Sequence, residues 1–295
     1  MNSSSQVVGA FPPPPGVTPN FTNTVSIAFQ VTLSAALAPV FAVPICILRL
    51  YTKKYIIKRV DPEDSSLLSG TLMAVFGVEL KNGVGRHIWD VPLPVFKRFI
   101  ITGVPAGLAY AFATLFTKVS LAQFYIRLSP DTNFKIGAYI VMFVSVCYNL
   151  LGGFCFLFFC RPIHKLWDYT VPGHCINMGA AFLSTAAVNT ATDISLLLLP
   201  IWLLWGLHLP VKKKIGVVLV LMAGSFVCAV SIIRLAIIPS GMKNPDITWN
   251  YVRNLMWCII ETYVGIICTC LPSLWTFARH HFPRLFPQAT NMAKA

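Results

Sequence analysis

Five ionisable residues, Glu79, Lys118, Asp193, Arg234 and Glu261, lie inside or at the margins of long apolar stretches. Charge in such places is costly, so it is retained for a reason. Opposite charges can pair and hold helices together. Grouped around a cavity, they can bind a ligand or pass an ion or proton. A carboxyl group whose pKa is raised by apolar surroundings can also serve as an acid or base toward a lipophilic substrate.

Seven apolar stretches must position these residues: Val25–Leu48, Leu67–Leu80, Phe99–Ile126, Ile136–Phe159, Met178–Leu207, Ile215–Ile238 and Asn254–Phe277. Most exceed the ~20 residues that carry an α-helix across a bilayer. Unbroken apolar runs of this length exclude barrel strands, which leaves helices as the spanning element. The expected fold is therefore an all-α membrane protein, a seven-transmembrane helix bundle. The second stretch is short and carries Glu79, so a six-helix alternative stays open.

Hydrophobic residues make up 56% of the chain and charged residues 11%, with a mean hydropathy of +0.70. A soluble domain carries about a quarter charged residues, so the composition points the same way. The net charge of +13 does not indicate a nucleic-acid partner. Its Lys and Arg residues occupy loops between spans, as membrane topology requires, and the partner they imply is the lipid bilayer.

Loop charge also sets orientation. No Lys or Arg occurs in the first 48 residues, and five follow at Arg49, Lys53, Lys54, Lys58 and Arg59. The early asymmetry favours an N-out, C-in topology in a plasma membrane or endomembrane. Trp89, Trp167 and Trp249 then fall near one interface, and Trp202, Trp205 and Trp275 near the other. Residues 1–24 are expected to be an extracellular, disordered Ser/Pro-rich N-terminus, 25–277 the seven-helix domain, and 278–295 a short cytoplasmic tail. The N-terminus lacks the basic region of a cleavable signal peptide, so the first span reads as a retained anchor. Asn2-Ser3-Ser4 and Asn20-Phe21-Thr22 are glycosylation sequons on the outer side, at Asn2 and Asn20.

At a rise of ~1.5 Å per residue, Glu79 and Arg234 lie near the outer ends of their spans, Glu261 deeper, and Asp193 and Lys118 deepest. Arg234 can then pair with Glu79 or Glu261, and Lys118 with Asp193. Seven of the cysteines fall within spans, where cysteine behaves as a small hydrophobe. Cys160 and Cys175 instead bracket an outer loop, where oxidation is permitted, and a disulfide between them is expected. The rival is a metal site that adds His164 and His174. No dense ligand spacing supports it, so no metal is expected.

Other chemistries find little support. Covalent retinal would need a lysine in the last span, but Asn254–Phe277 has none, and Lys118 belongs to the third span. Gly83-Val84-Gly85 lacks the third glycine of a dinucleotide fingerprint, and no phosphate-binding loop, His-Glu-x-x-His or Gly-x-Ser-x-Gly is present. No cofactor is expected. An acid–base enzyme built on Glu79, Asp193 or Glu261 remains compatible with these residues.

A set of short motifs, in order along the chain, resembles the fungal integral membrane proteins that carry the rhodopsin domain. They are Arg49-Leu50-Tyr51 with Asp64, Gly83-Val84-Gly85-Arg86-His87, Lys118-Val119-Ser120 leading to Phe124-Tyr125-Ile126-Arg127, and Cys160-Arg161-Pro162 with Trp167-Asp168 and Cys175. Thr192-Asp193-Ile194 with Pro200, Leu209-Pro210 before Lys212–Lys214, and Ser231-Ile232-Ile233-Arg234-Leu235 complete the set, which covers about 28–277. Glu63-Asp64 stands where the family often pairs two aspartates, and Phe159 where it often has glutamine. The resemblance implies a receptor-like protein or a member encoded in a secondary-metabolite cluster.

It also raises Lys118, Asp193 and Arg234 above Glu79 as functional centres. The expected function is sensing of a small, partly apolar extracellular ligand. Such a ligand would enter past Arg86 and His87 and contact Arg234 and Glu261, with a cytoplasmic signalling protein as a further partner. The short tail weakens the signalling expectation. The alternative is a membrane-embedded cyclase or isomerase of a lipophilic metabolite.

Overall fold

The computed structural model describes residues 9–21, 24–57, 83–128, 131–168, 170–206, 211–242, 244 and 246–281. Six helices among them are long and apolar enough to cross a membrane. They are α1 (Ala28–Tyr51), α2 (Leu93–Leu128), α3 (Thr132–Leu157), α4 (Met178–Gly206), α5 (Val211–Met242) and α6 (Ile247–His281). The second apolar stretch, with Glu79 and Asp64, lies outside the described residues, as does Asn2.

Several helices outrun the apolar stretches that announce them. The α2 helix begins at Leu93 and α6 at Ile247, about two turns ahead of the apolar runs. Helical hydrogen bonding depends on the backbone, so both helices begin in the charged and polar residues that precede the apolar runs. The Asp131 side chain accepts from the Asn133 amide (3.2 Å) and caps the start of α3. A π-helical turn, Thr52–Ile57, extends α1.

The bundle is arranged around α6. Of its apolar window 61% is buried, against 17% for α1. Helix α6 packs on α1, α2 and α5, while α4 sits between α3 and α5. Large side chains such as Phe41, Phe143, Leu151 and Met222 remain exposed on the rim, as lipid-facing residues do.

One end of the bundle carries a structured cap. Cys160–Arg161 (β1) pairs antiparallel with His174–Cys175 (β2), with Cys160 opposite Cys175, and the two cysteines form a disulfide. Their sulfurs are thereby removed from any metal site with His164 and His174. The Lys165 ammonium donates to the Gly173 carbonyl inside the loop. Phe159, Cys160 and Leu166 seat it on the bundle against Ile100, Val104 and Ala181. Outside the spans, Asp168 is held below the usual carboxylate value, chiefly by the Thr170 hydroxyl and amide and further by Lys97 (3.3 Å).

The rest of the cap is built on Gly83 and Gly85, with φ of +85° and +86°. These left-handed positions favour glycine. A Cβ at Gly85 would stand 2.6 Å from the Ala28 backbone nitrogen, so the turn fits against the start of α1. Residues 9–21 also reach this cap: the Ala10 amide donates to the Val91 carbonyl (3.0 Å) and the Asn20 amide to Asp90 (2.9 Å).

Candidate functional site

Of the five ionisable residues singled out by sequence, the four that lie among the described residues come together. Lys118 on α2 donates to Asp193 Oδ1 on α4 (2.9 Å), to the Asn189 carbonyl (2.8 Å) and to the Thr192 hydroxyl (2.6 Å). The other oxygen of Asp193 accepts from Ser231 on α5 (2.7 Å) and from the Asn189 amide (3.3 Å). That same amide nitrogen reaches Glu261 Oε1 on α6 (2.6 Å). Glu261 Oε2 lies 3.1 Å from Arg234 Nε on α5 and accepts from the Tyr110 hydroxyl (3.3 Å). Arg234 also donates to Tyr110, and its guanidinium lies over that ring at 5.1 Å.

Lys118 thus pairs with Asp193, and Arg234 with Glu261, while Glu79 lies outside the described residues. The four side chains are almost fully buried. Two cations and two carboxylates form a neutral chain through four helices, with Asn189 as the link. Neutrality and the hydrogen bonds to the carboxylates offset the desolvation that buried charge otherwise imposes, although Arg234 Nε, ion-paired to Glu261, makes no hydrogen bond. Every carboxylate oxygen is occupied by a donor.

Above this chain, toward the disulfide, lies a cavity of about 240 Å³. Its lining on α2 runs from Phe96 to Thr114, about five turns of helix. Phe99, Phe159, Phe182 and Tyr251 give it aromatic walls, and Leu166 of the bridged loop lies over it. Gly103, Gly107 and Gly152 leave the space open, while Tyr110, Tyr148, Asn189 and Arg234 form a polar floor. A concave, mostly apolar space with a few convergent polar groups is the usual form of a small-molecule site. A second space of about 40 Å³ borders Lys118 and Asp193 toward the far end.

The remaining expected site residues sit elsewhere. His87 does not line the cavity. Its ring is stacked between Trp89 (4.7 Å) and Trp249 (4.1 Å), and its Nδ1 meets Asp246 at 2.5 Å. Arg86 is exposed, and its carbonyl accepts from Thr248 (2.7 Å). Glu261 stands behind Arg234, outside the cavity lining. Asn20 is exposed.

Asn189, Tyr110, Tyr148 and Asn254 were not singled out by sequence. The available signal was helical spacing: Asn189 precedes Asp193 by four residues, and Asn254 precedes Glu261 by two turns. Arg49, another buried cation, lies at the far end of the bundle. It joins α1 to the Thr269 carbonyl of α6 (2.7 Å) and to Ser120 of α2 (3.1 Å).

Residues 48–280 match the fungal rhodopsin domain. A SAT4 family membrane protein of Emericella nidulans is 30% identical over 213 residues, covering 71% of this chain and 54% of its own. The polyenoic acids biosynthesis gene cluster protein Ba17b of Metarhizium anisopliae is 26% identical, covering 76% of this chain and 66% of its own. The fugralins biosynthesis cluster protein 2 of Gibberella zeae is 25% identical, covering 77% and 60%. This chain thus spans between 54% and 66% of the length of these curated relatives. No solved structure matches it. With apolar helices around a buried polar chain and a domain match over most of its length, this multi-pass membrane protein belongs to the fungal rhodopsin domain family.

Proposed function

We propose that this protein is a receptor-like, seven-span membrane protein, N-out and C-in, that binds a small, partly apolar molecule from the outer side. The observation that carries this reading is the aromatic cavity between the disulfide cap and the floor formed by Arg234 and Tyr110. Its occupant would touch α2, α4, α5 and α6 together, and differential contact with two helix arrangements is what shifts their populations. Transfer to a cytoplasmic signalling protein would use the inner loops after α1 and before α5. Covalent retinal has no place in this reading, because the last helix has no lysine and Lys118 is held by three acceptors.

A membrane-embedded cyclase or isomerase is the second reading. The names of two relatives, tied to fugralins and polyenoic acids biosynthesis clusters, favour it. The geometry favours binding, since Asp193 and Glu261 are absent from the main cavity's lining and each is fully engaged.

Membranes containing the protein, incubated with a fungal metabolite extract, separate the two. Binding predicts a compound retained unchanged, with no new product in solution. Consumption of a compound, abolished in Asp193→Asn or Glu261→Gln, would establish the enzyme instead. Tag accessibility at both ends tests the topology: termini on one side of the membrane would overturn it.

A further inference from the structure

The floor of the cavity restricts what it accepts. Its cation, Arg234, is already matched by Glu261, and the chain beyond it is neutral among the described residues. The uncharged polar groups are matched as well. Tyr148 donates to Asn189 (2.6 Å), Asn149 accepts from Thr114 (3.2 Å), and Asn149 donates to the Ser145 carbonyl (2.9 Å). An ionised ligand would therefore leave water to meet a cation whose counter-charge is in place, which is unfavourable in so apolar a space.

Arg234 Nε makes no hydrogen bond but is ion-paired to Glu261 at 3.1 Å, which leaves one lining group among the described residues with neither. The amide oxygen of Asn254 is buried and has no hydrogen-bond partner among the described residues. An unmatched buried amide costs about 1–3 kcal/mol unless something pairs with it. Asn254 lies one turn above Cys258, the residue that Arg234 approaches at 3.5 Å, and one turn below Tyr251 of the aromatic wall. It therefore lies about two turns into α6, between the aromatic walls and the ion-paired floor. A hydroxyl group suits this position in either orientation of the amide, since it both donates and accepts.

We propose that the cavity selects an uncharged, flat or extended hydrocarbon bearing a hydroxyl, with the hydroxyl paired to Asn254 and the hydrocarbon held by Phe99, Phe182 and Tyr251. This rests on the reading of the cavity as a ligand site and adds the chemical class of the ligand. Asn254 is then a specificity-determining residue, and Arg234 and Glu261 form the closed floor beneath it.

Three probes of one shape test the assignment: 1-naphthol, 1-methoxynaphthalene and 1-naphthoate, titrated at pH 7 into the full chain in lipid nanodiscs. The wild type is expected to bind 1-naphthol about two- to tenfold more tightly than 1-methoxynaphthalene, the span of one neutral hydrogen bond. It should bind 1-naphthoate more than tenfold more weakly than 1-naphthol. Asn254→Leu should bring 1-naphthol to the level of the methyl ether, and Gly152→Leu, which fills the cavity, should weaken all three. If 1-naphthoate binds as well as 1-naphthol, or the ether matches 1-naphthol in the wild type, the assignment fails while a Gly152-sensitive site survives. If Gly152→Leu changes nothing, or no probe binds, the cavity is not a ligand site and both conclusions fall. The wild-type ranking stands whether or not Asn254→Leu folds.

Discussion

The two buried ion pairs use the same chemistry in different packing. Lys118–Asp193 borders a space of about 40 Å³, and its ammonium is wrapped by three acceptors. Arg234–Glu261 underlies about 240 Å³ of aromatic cavity, and the guanidinium faces it. The first pair is enclosed and can only hold α2, α4 and α5 together. The second can exchange contacts with an occupant. Position in the packing, rather than charge, separates a structural lock from a floor that can respond to a ligand.

The largest expected effect breaks the enclosed pair. Asp193→Asn leaves Lys118 without its counter-charge and should cost about 3–5 kcal/mol. Glu261→Gln should cost less, about 1–3 kcal/mol, because Arg234 keeps its contacts to Tyr110 and Cys258 and its charge is spread over the guanidinium. Thermal unfolding in detergent measures both. Equal losses would dissolve the distinction between the two pairs.

The next tests address the cap that covers only the cavity end. Cys160→Ser with Cys175→Ser removes a bridge across a sequence separation of 15, worth about 3 kcal/mol in the chain-entropy account. Probe binding should weaken with it, whereas the enclosed Lys118–Asp193 pair should be unaffected by double-mutant analysis. Gly85→Ala, at positive φ and against Ala28, should cost at least about 1–2 kcal/mol, read as a fall in unfolding temperature.

Acidification gives the smallest effect. Asp168 has a lowered pKa in the folded protein, so its contribution is complete above the unfolded carboxylate value and is lost as pH falls through the lower folded value. Protection of the Thr170 amide, which donates to Asp168 (3.3 Å), should hold at neutral pH and fall only below about pH 4. Loss of protection at higher pH would mean that another group orders this loop.

Much of the architecture was legible because lipid imposes simple rules. Apolar length announced the six described spanning helices, and residue rise offered Glu79 or Glu261 as the partner of Arg234 and Asp193 as that of Lys118. The bridged cysteines followed from their position in a loop between spans. Asn189 and Tyr110 were not legible as the linking groups, because uncharged polar residues occur on many helix faces without a partner. The cavity was not legible either. It exists because Gly103, Gly107 and Gly152 converge from two helices, which depends on packing rather than on a motif. His87 shows the same limit: its partner Asp246 is 159 residues away, so a mouth residue by sequence is a stacked peg in the fold.

The central claim is that the space beneath the disulfide cap holds a small molecule, and native mass spectrometry on nanodisc-embedded protein tests it most directly. After exposure to a fungal culture extract, the wild type should retain a small, uncharged compound that Gly152→Leu does not, with both proteins folded and bridged. Retention of the same compounds by both proteins, in equal amount, would place binding outside the cavity and contradict the account.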